Sequence, residues 1–175
     1  MQIHTLSHAR SNTDGSDRGV LIAYDLALPN MLTIDFQAND ICWTDAGLHR
    51  IECAGLGGSN RRVVYTPAEY PFGLTIQGDL MFWTDWKSNT VERASRRGGQ
   101  AVSLKVPAGG NGKMYDIVTV PRQCPQMSNA CAISNGGCRP PADICLPNVR
   151  GRTCACPDFS NSTTESGADT CSQLT

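Results

Sequence analysis

Ile41-Cys42-Trp43-Thr44-Asp45-Ala46-Gly47-Leu48-His49-Arg50-Ile51-Glu52-Cys53 decides the fold, because its Trp-Thr-Asp core returns 40 residues later as Phe82-Trp83-Thr84-Asp85. Working outward, Ile51-Glu52-Cys53 is matched by Val91-Glu92-Arg93 at the same offset. Upstream, Leu28-Pro29-Asn30-Met31-Leu32-Thr33-Ile34 is matched by Tyr70-Pro71-Phe72-Gly73-Leu74-Thr75-Ile76 at an offset of 42. Asp14-Gly15-Ser16-Asp17-Arg18 and Gly57-Gly58-Ser59-Asn60-Arg61 correspond at 43. A period near 40 with four short strands per unit is the signature of propeller blades.

The segments between these motifs read as β-structure. Val20-Leu21-Ile22, Met31-Leu32-Thr33-Ile34, Val63-Val64-Tyr65 and Ile117-Val118-Thr119-Val120 are bounded by Gly, Pro, Asn and Asp, and no helical period competes with them. The expected fold is all-β. Two full blades have inner strands at about 31–35 and 73–77, and a lone strand runs from Tyr115 to Val120. That is between two and three blades, whereas closed propellers typically have about four to eight.

Alternation along each Trp-Thr-Asp strand places Trp43 with Asp45, and Trp83 with Asp85, on one face, with Thr44 and Thr84 on the other. Both faces of a blade are covered by neighbours, so the rings are core material. The aspartates are assigned a structural role, capping backbone amides at the turn after the strand.

Composition separates a second region. Of nine cysteines, six lie between Cys131 and Cys171, where aliphatic residues are too few to build a core. Such a segment needs covalent staples, and disulfides persist in oxidising compartments. The domains expected are therefore 1–122 and 128–175, joined by a short linker containing Pro121 and Pro125. The N-terminus has no export signal and no window approaches about 18 consecutive apolar residues, so no membrane insertion by this segment is expected. A secreted composition without an export signal suggests a fragment of something longer. With a net charge of −1 and no basic run, nothing marks a nucleic-acid or anionic-membrane surface.

The repeats resemble the YWTD propeller of the low-density-lipoprotein receptor family and of the nidogen family, with Cys42 or Phe82 where that pattern has Tyr. The resemblance implies about 2.5 blades of a six-bladed propeller over residues 1–122. Cys42 and Cys53 sit at equivalent places on consecutive strands, close enough to bridge across a hairpin turning near Gly47 and Leu48. Phe82 and Arg93 take those places in the next blade. Within the family, this cysteine pair is more similar to nidogen than to the lipoprotein receptors, and Cys124 resembles a cysteine near the end of the nidogen propeller.

The C-terminal spacing, with Asn135-Gly136-Gly137-Cys138 and Cys154-Ala155-Cys156-Pro157 inside it, resembles an EGF-like module. Six cysteines allow 15 pairings, and spacing alone does not choose among them. The resemblance implies Cys131 with Cys145, Cys138 with Cys154, and Cys156 with Cys171.

Chemistry at single sites is sparse. Cys154 and Cys156 are too close for the usual zinc knuckle, and the residues before Cys131 lack the acidic set that calcium needs. His4 and His8 have no third ligand, and His49 stands without a nucleophile elbow or paired carboxylates. No cofactor, metal, small-molecule substrate or catalytic activity is expected. Asn161-Ser162-Thr163 is a glycosylation sequon.

The function expected is protein binding outside the cell. In protein-binding YWTD propellers the resemblance places on the recognition face the residue after Pro at the strand entry and the residue after Trp-Thr-Asp. Here these are Asn30 and Phe72, then Ala46 and Trp86, with Phe72 and Trp86 as aromatic anchors. Lys87, His49 and Arg50 are weaker rim candidates. The nidogen resemblance implies a basement-membrane protein that binds the laminin γ chain when the propeller is complete. The alternative is a lipoprotein-receptor-type ectodomain, in which an EGF-like module follows the propeller.

Overall fold

Each Trp-Thr-Asp segment is the second strand of a four-stranded antiparallel sheet in the computed structural model, which describes residues 6–104, 113–120, 128–139 and 144–156, and the backbone of two further strands. After β1 (His8–Arg10) and β2 (Gly19–Ile22), blade 1 comprises β3 (Pro29–Asp35), β4 (Asp40–Asp45), β5 (Arg50–Gly55) and β6 (Arg62–Tyr65) in sequential order. Blade 2 repeats it with β7 (Pro71–Gln77), β8 (Leu80–Asp85), β9 (Thr90–Ser95) and β10 (Val102–Leu104). A partial propeller of two complete blades results, as the period predicts.

The 40-residue spacing is kept by the second hairpin turn of each blade, whereas the first turn is shorter in blade 2 and gives the first strands their offset of 42. Asn39, His49 and Asn89 each take positive φ, a conformation tolerated by Asn and His better than by most residues. The register places Cys42 opposite Cys53 and Phe82 opposite Arg93. Cys42 and Cys53 are bonded, their Cα atoms 4.0 Å apart across a narrow strand pair.

Burial follows the alternation. Ile41, Trp43 and Ala54 on one face of blade 1 pack with Ile22 of β2. Cys42, Ile51 and Cys53, on the other face, pack with Leu74, Met81, Trp83 and Ala94 of blade 2. The disulfide thus lies inside the inter-blade core, and Tyr65 closes the same layer with its ring 4.6 Å from that of Trp83.

Tyr115–Val120 departs from the expected strand. It forms no ladder among the described residues, but it runs beside β7, with the Thr119 amide donating to Thr75 Oγ1 over 3.3 Å. A Cβ on Gly73 would meet Asp116 Cα at 3.1 Å and Ile117 N at 3.2 Å. Glycine at position 73 therefore permits this close approach.

The polypeptide divides into two units: Met1–His8 with Leu21–Gln123, and Ala9–Val20 with Cys124–Thr175. Ala9–Val20 thus groups with the cysteine-rich region. Asp14 explains the grouping: its carboxylate accepts from Asn148 Nδ2 at 2.8 Å and Thr153 Oγ1 at 2.7 Å. Hydrogen bonds from Ser16, then from Thr153 and Asn148, hold the Asp14 carboxyl well below the usual carboxylate range.

In this second unit β11 (Ile144–Asn148) pairs with β12 (Gly151–Ala155), setting Cys145 opposite Cys154. Disulfides join Cys131 to Cys145 and Cys138 to Cys154. The Asn135-Gly136 step has positive φ at both residues, and a Cβ on Gly136 would lie 2.7 Å from Cys145 Sγ. Glycine is needed there on both counts. Backbone strands β13 (Ser160–Glu165) and β14 (Ala168–Gln173) follow, with Asn161 and Cys171 on them. Cys156 is disulfide-bonded, while Cys124 and the side chains of Asn161 and Cys171 lie outside the described residues.

Candidate protein-binding face

The aspartates that close the Trp-Thr-Asp strands fix two connections at once. Asp45 accepts from the Leu48 amide in the following turn and from the Ala27 and Leu28 amides before β3, all at 2.9–3.0 Å. Asp85 accepts from Lys87 and Ser88 at 2.9 and 3.3 Å and from Tyr70 at 3.0 Å. Such charge-assisted bonds are stronger than neutral ones. They hold the residue after the strand beside the entry of the first strand, where the Trp86 amide donates to the Tyr70 carbonyl at 2.9 Å.

That clamp assembles an aromatic cluster. Phe72 stacks on Trp86 with centroids 4.1 Å apart and an interplanar angle of 7°. Tyr70 lies parallel to Trp86 at 5.6 Å, and Tyr115 meets Phe72 and Trp86 edge-on at 5.8 and 5.1 Å. The Trp86 indole N–H donates to the Met114 carbonyl at 2.8 Å. Lys113 donates to the Trp86 carbonyl, and its ammonium lies 6.0 Å from the ring centroid. Tyr115 remains 52% exposed, so the cluster is half-buried and wet at its edge.

The four residues expected on this face divide. Phe72 and Trp86 meet in one stack. Asn30 instead donates from Nδ2 to the Pro71 carbonyl at 3.0 Å, tying blade 1 to the entry of β7. Ala46 is 2% exposed, so its side chain has no surface to offer. Its amide donates to Leu28 O and it packs inside the clamp built by Asp45. Among the rim candidates, His49 Nδ1 donates to the Glu69 carbonyl at 2.7 Å, Lys87 is exposed, and Arg50 is engaged by Asp25 and Glu52.

Tyr70 and Tyr115 escaped the motif reading. The signal was present: Tyr115 stands 43 residues after Phe72, within the same period that links Phe72 to Asn30. Its significance depends on the Tyr115–Val120 segment lying against blade 2.

Strand order, repeat register and the cysteine-rich unit define a class: a partial YWTD-type β-propeller followed by an EGF-like module. Nidogen and a low-density lipoprotein receptor-related protein are among its relatives. It is 35% identical over 158 residues to nidogen of Drosophila melanogaster, a match covering 88% of this chain and 12% of that protein. It is 43% identical over 126 residues to low-density lipoprotein receptor-related protein 4 of Mus musculus, covering 72% of this chain and 6% of that protein. A chain in the crystal structure of a nidogen/laminin complex aligns with a TM-score of 0.55 at 32% identity, over 64% of this chain and 42% of that one. No protein-family model matches. The chain therefore spans a small part of the length of these curated relatives.

Proposed function

We propose that this chain is a protein-binding segment of nidogen type, acting in the extracellular matrix, with laminin as its partner and the Phe72–Trp86 stack as the anchor. The observation that carries this reading is the aromatic cluster itself: three near-parallel rings with a fourth set edge-on, their backbone held by the Asp85 carboxylate. Rigid aromatic anchors contribute contact area at low entropic cost, and they dominate many interfaces. Similarity to a chain of the nidogen/laminin complex supports laminin as the partner. Asn30 and Ala46 contribute by positioning, through Pro71 and through the Asp45 clamp. The oxidising compartment follows from the disulfides of both units, and Asn161 is proposed as a glycan acceptor there. Binding, not catalysis, is the activity assigned.

A laminin γ-chain fragment, immobilised and titrated with this protein, tests the proposal. Phe72→Ala or Trp86→Ala is expected to weaken binding at least tenfold, about 1.4 kcal/mol. Unchanged affinity in both variants overturns it. The second reading, a receptor ectodomain, is favoured by the 43% identity to the lipoprotein receptor-related protein. It gains if laminin binding is absent.

A further inference from the structure

The two blades treat an equivalent buried carboxylate differently. In blade 1, Glu52 is 2% exposed and accepts from Arg50 Nε at 2.9 Å and from Arg61 Nε and Nη2 at 2.7 and 2.9 Å. The Arg61 guanidinium also lies 5.3 Å from the Trp43 ring centroid and 5.0 Å from that of Tyr24, and donates to the Tyr24 and Asp25 carbonyls at 2.6 Å each.

In blade 2 the same register gives another outcome. Arg62 pairs with Cys53 as Val102 pairs with Arg93, so Ala101 occupies the place of Arg61. Thr90 likewise stands for Arg50. Glu92, 9% exposed, accepts from the hydroxyls of Thr90 at 2.5 Å and Ser103 at 2.7 and 2.8 Å, and no ion pair reaches it among the described residues. A cleft of about 240 Å³ opens there, its lining including Glu92, Trp83, Tyr65, Ser103, Pro67 and Asp85. Pro67 and Ala68 follow β6 as Tyr24 and Asp25 follow β2. The buried carboxylate, the indole and the backbone after the preceding strand that surround Arg61 in blade 1 thus have counterparts around this cleft, whereas the Tyr24 ring has none, Pro67 taking its place.

A carboxylate nine-tenths removed from water is under-compensated by hydroxyl donors alone. A guanidinium supplies a planar fork of N–H donors and a face that stacks on aromatic rings. We propose that this cleft receives an arginine side chain from a second polypeptide, its guanidinium on Glu92 at the edge of the Trp83 and Tyr65 rings. The cleft shares Asp85 with the clamp behind the Phe72–Trp86 anchor, but none of the stacked rings lines it, so variants of Phe72 or Trp86 and variants at the cleft test the two assignments apart.

Indole ¹H–¹⁵N spectra of the whole chain test it, with acetyl-Gly-Arg-Gly-amide as the probe. The Trp83 signal is expected to shift saturably while Trp43, already covered by Arg61, does not move, and the citrulline peptide is expected to leave both unchanged. Glu92→Gln should weaken binding at least tenfold. Ala101→Arg, which supplies the guanidinium within the chain as blade 1 does, should abolish peptide binding and raise the unfolding temperature. No saturable shift, equal shifts with citrulline, or undiminished binding by Glu92→Gln or Ala101→Arg overturns the proposal.

Discussion

The Thr44 hydroxyl of blade 1 donates to the Phe72 carbonyl of blade 2 at 2.8 Å while accepting from the Met31 amide at 3.0 Å. One fully buried hydroxyl therefore joins two blades and fixes the backbone of an anchor residue. Thr44→Val preserves the shape but leaves the Met31 amide and the Phe72 carbonyl without this partner. We expect a loss of about 1–3 kcal/mol in unfolding free energy, measured by urea denaturation, with weaker laminin binding beyond what the stability change explains.

The Cys42–Cys53 bond closes a short loop, with a sequence separation of 11. Removing it through Cys42→Ala with Cys53→Ala is expected to cost about 3 kcal/mol or somewhat more, combining the cross-link with lost packing in the inter-blade core. Combining Cys42→Val with Cys53→Val, which refills the buried space without a charge, should recover part of this. Thermal unfolding of the two double variants compares them, and an Ala pair as stable as the parent would refute the core assignment.

Glu52 is enclosed by Arg50 and Arg61, and its carboxylate raises the Arg61 pKa further above its ordinary value through their hydrogen bond. Removing one member of a buried ion cluster leaves the others uncompensated, at a cost of about 3–5 kcal/mol. Arg61→Ala should fall in this range because Glu52 keeps only Arg50. Glu92→Gln should cost about 1 kcal/mol or less, since its partners are hydroxyls that can donate equally to an amide oxygen. Parallel chemical denaturation of the two variants tests the asymmetry between blades.

His8 lies with its ring 4.9 Å from that of Trp43, and burial followed by the nearby Arg61 charge lowers its pKa below the usual 6.5. Between pH 6.5 and the lower folded value, the unfolded chain binds a proton that the folded chain refuses. Stability should therefore decline as pH falls through this window. His8→Phe should remove this part of the pH dependence, read as the difference in unfolding temperature between about pH 7.5 and about pH 5.5, either side of the ordinary histidine value. An identical pH profile in the variant would falsify the buried-histidine contribution.

The repeat made much of this architecture legible before any coordinates. A 40-residue offset, Gly and Asn at the turns, and period-2 alternation are local properties, so they specified blade number, strand order, the buried tryptophans and the Cys42–Cys53 register. Local periodicity does not report what lies beside a strand. Asn30 and Ala46 share repeat positions with Phe72 and Trp86, but their sizes and neighbours turn them inward to Pro71 and to the Asp45 clamp.

The sequence by itself determined two YWTD blades and a cysteine-stapled module, because hydrophobic period and cysteine spacing are written along the chain. Only the tertiary structure decided that Tyr70 and Tyr115 join the Phe72–Trp86 stack, that Ala9–Val20 groups with the cysteine-rich unit through Asp14, and that Glu92 lies buried beside hydroxyls where Glu52 has arginines. Each of these depends on distances between residues remote in sequence. Packing and the balance of buried charge settle them, and neither has a local period to read.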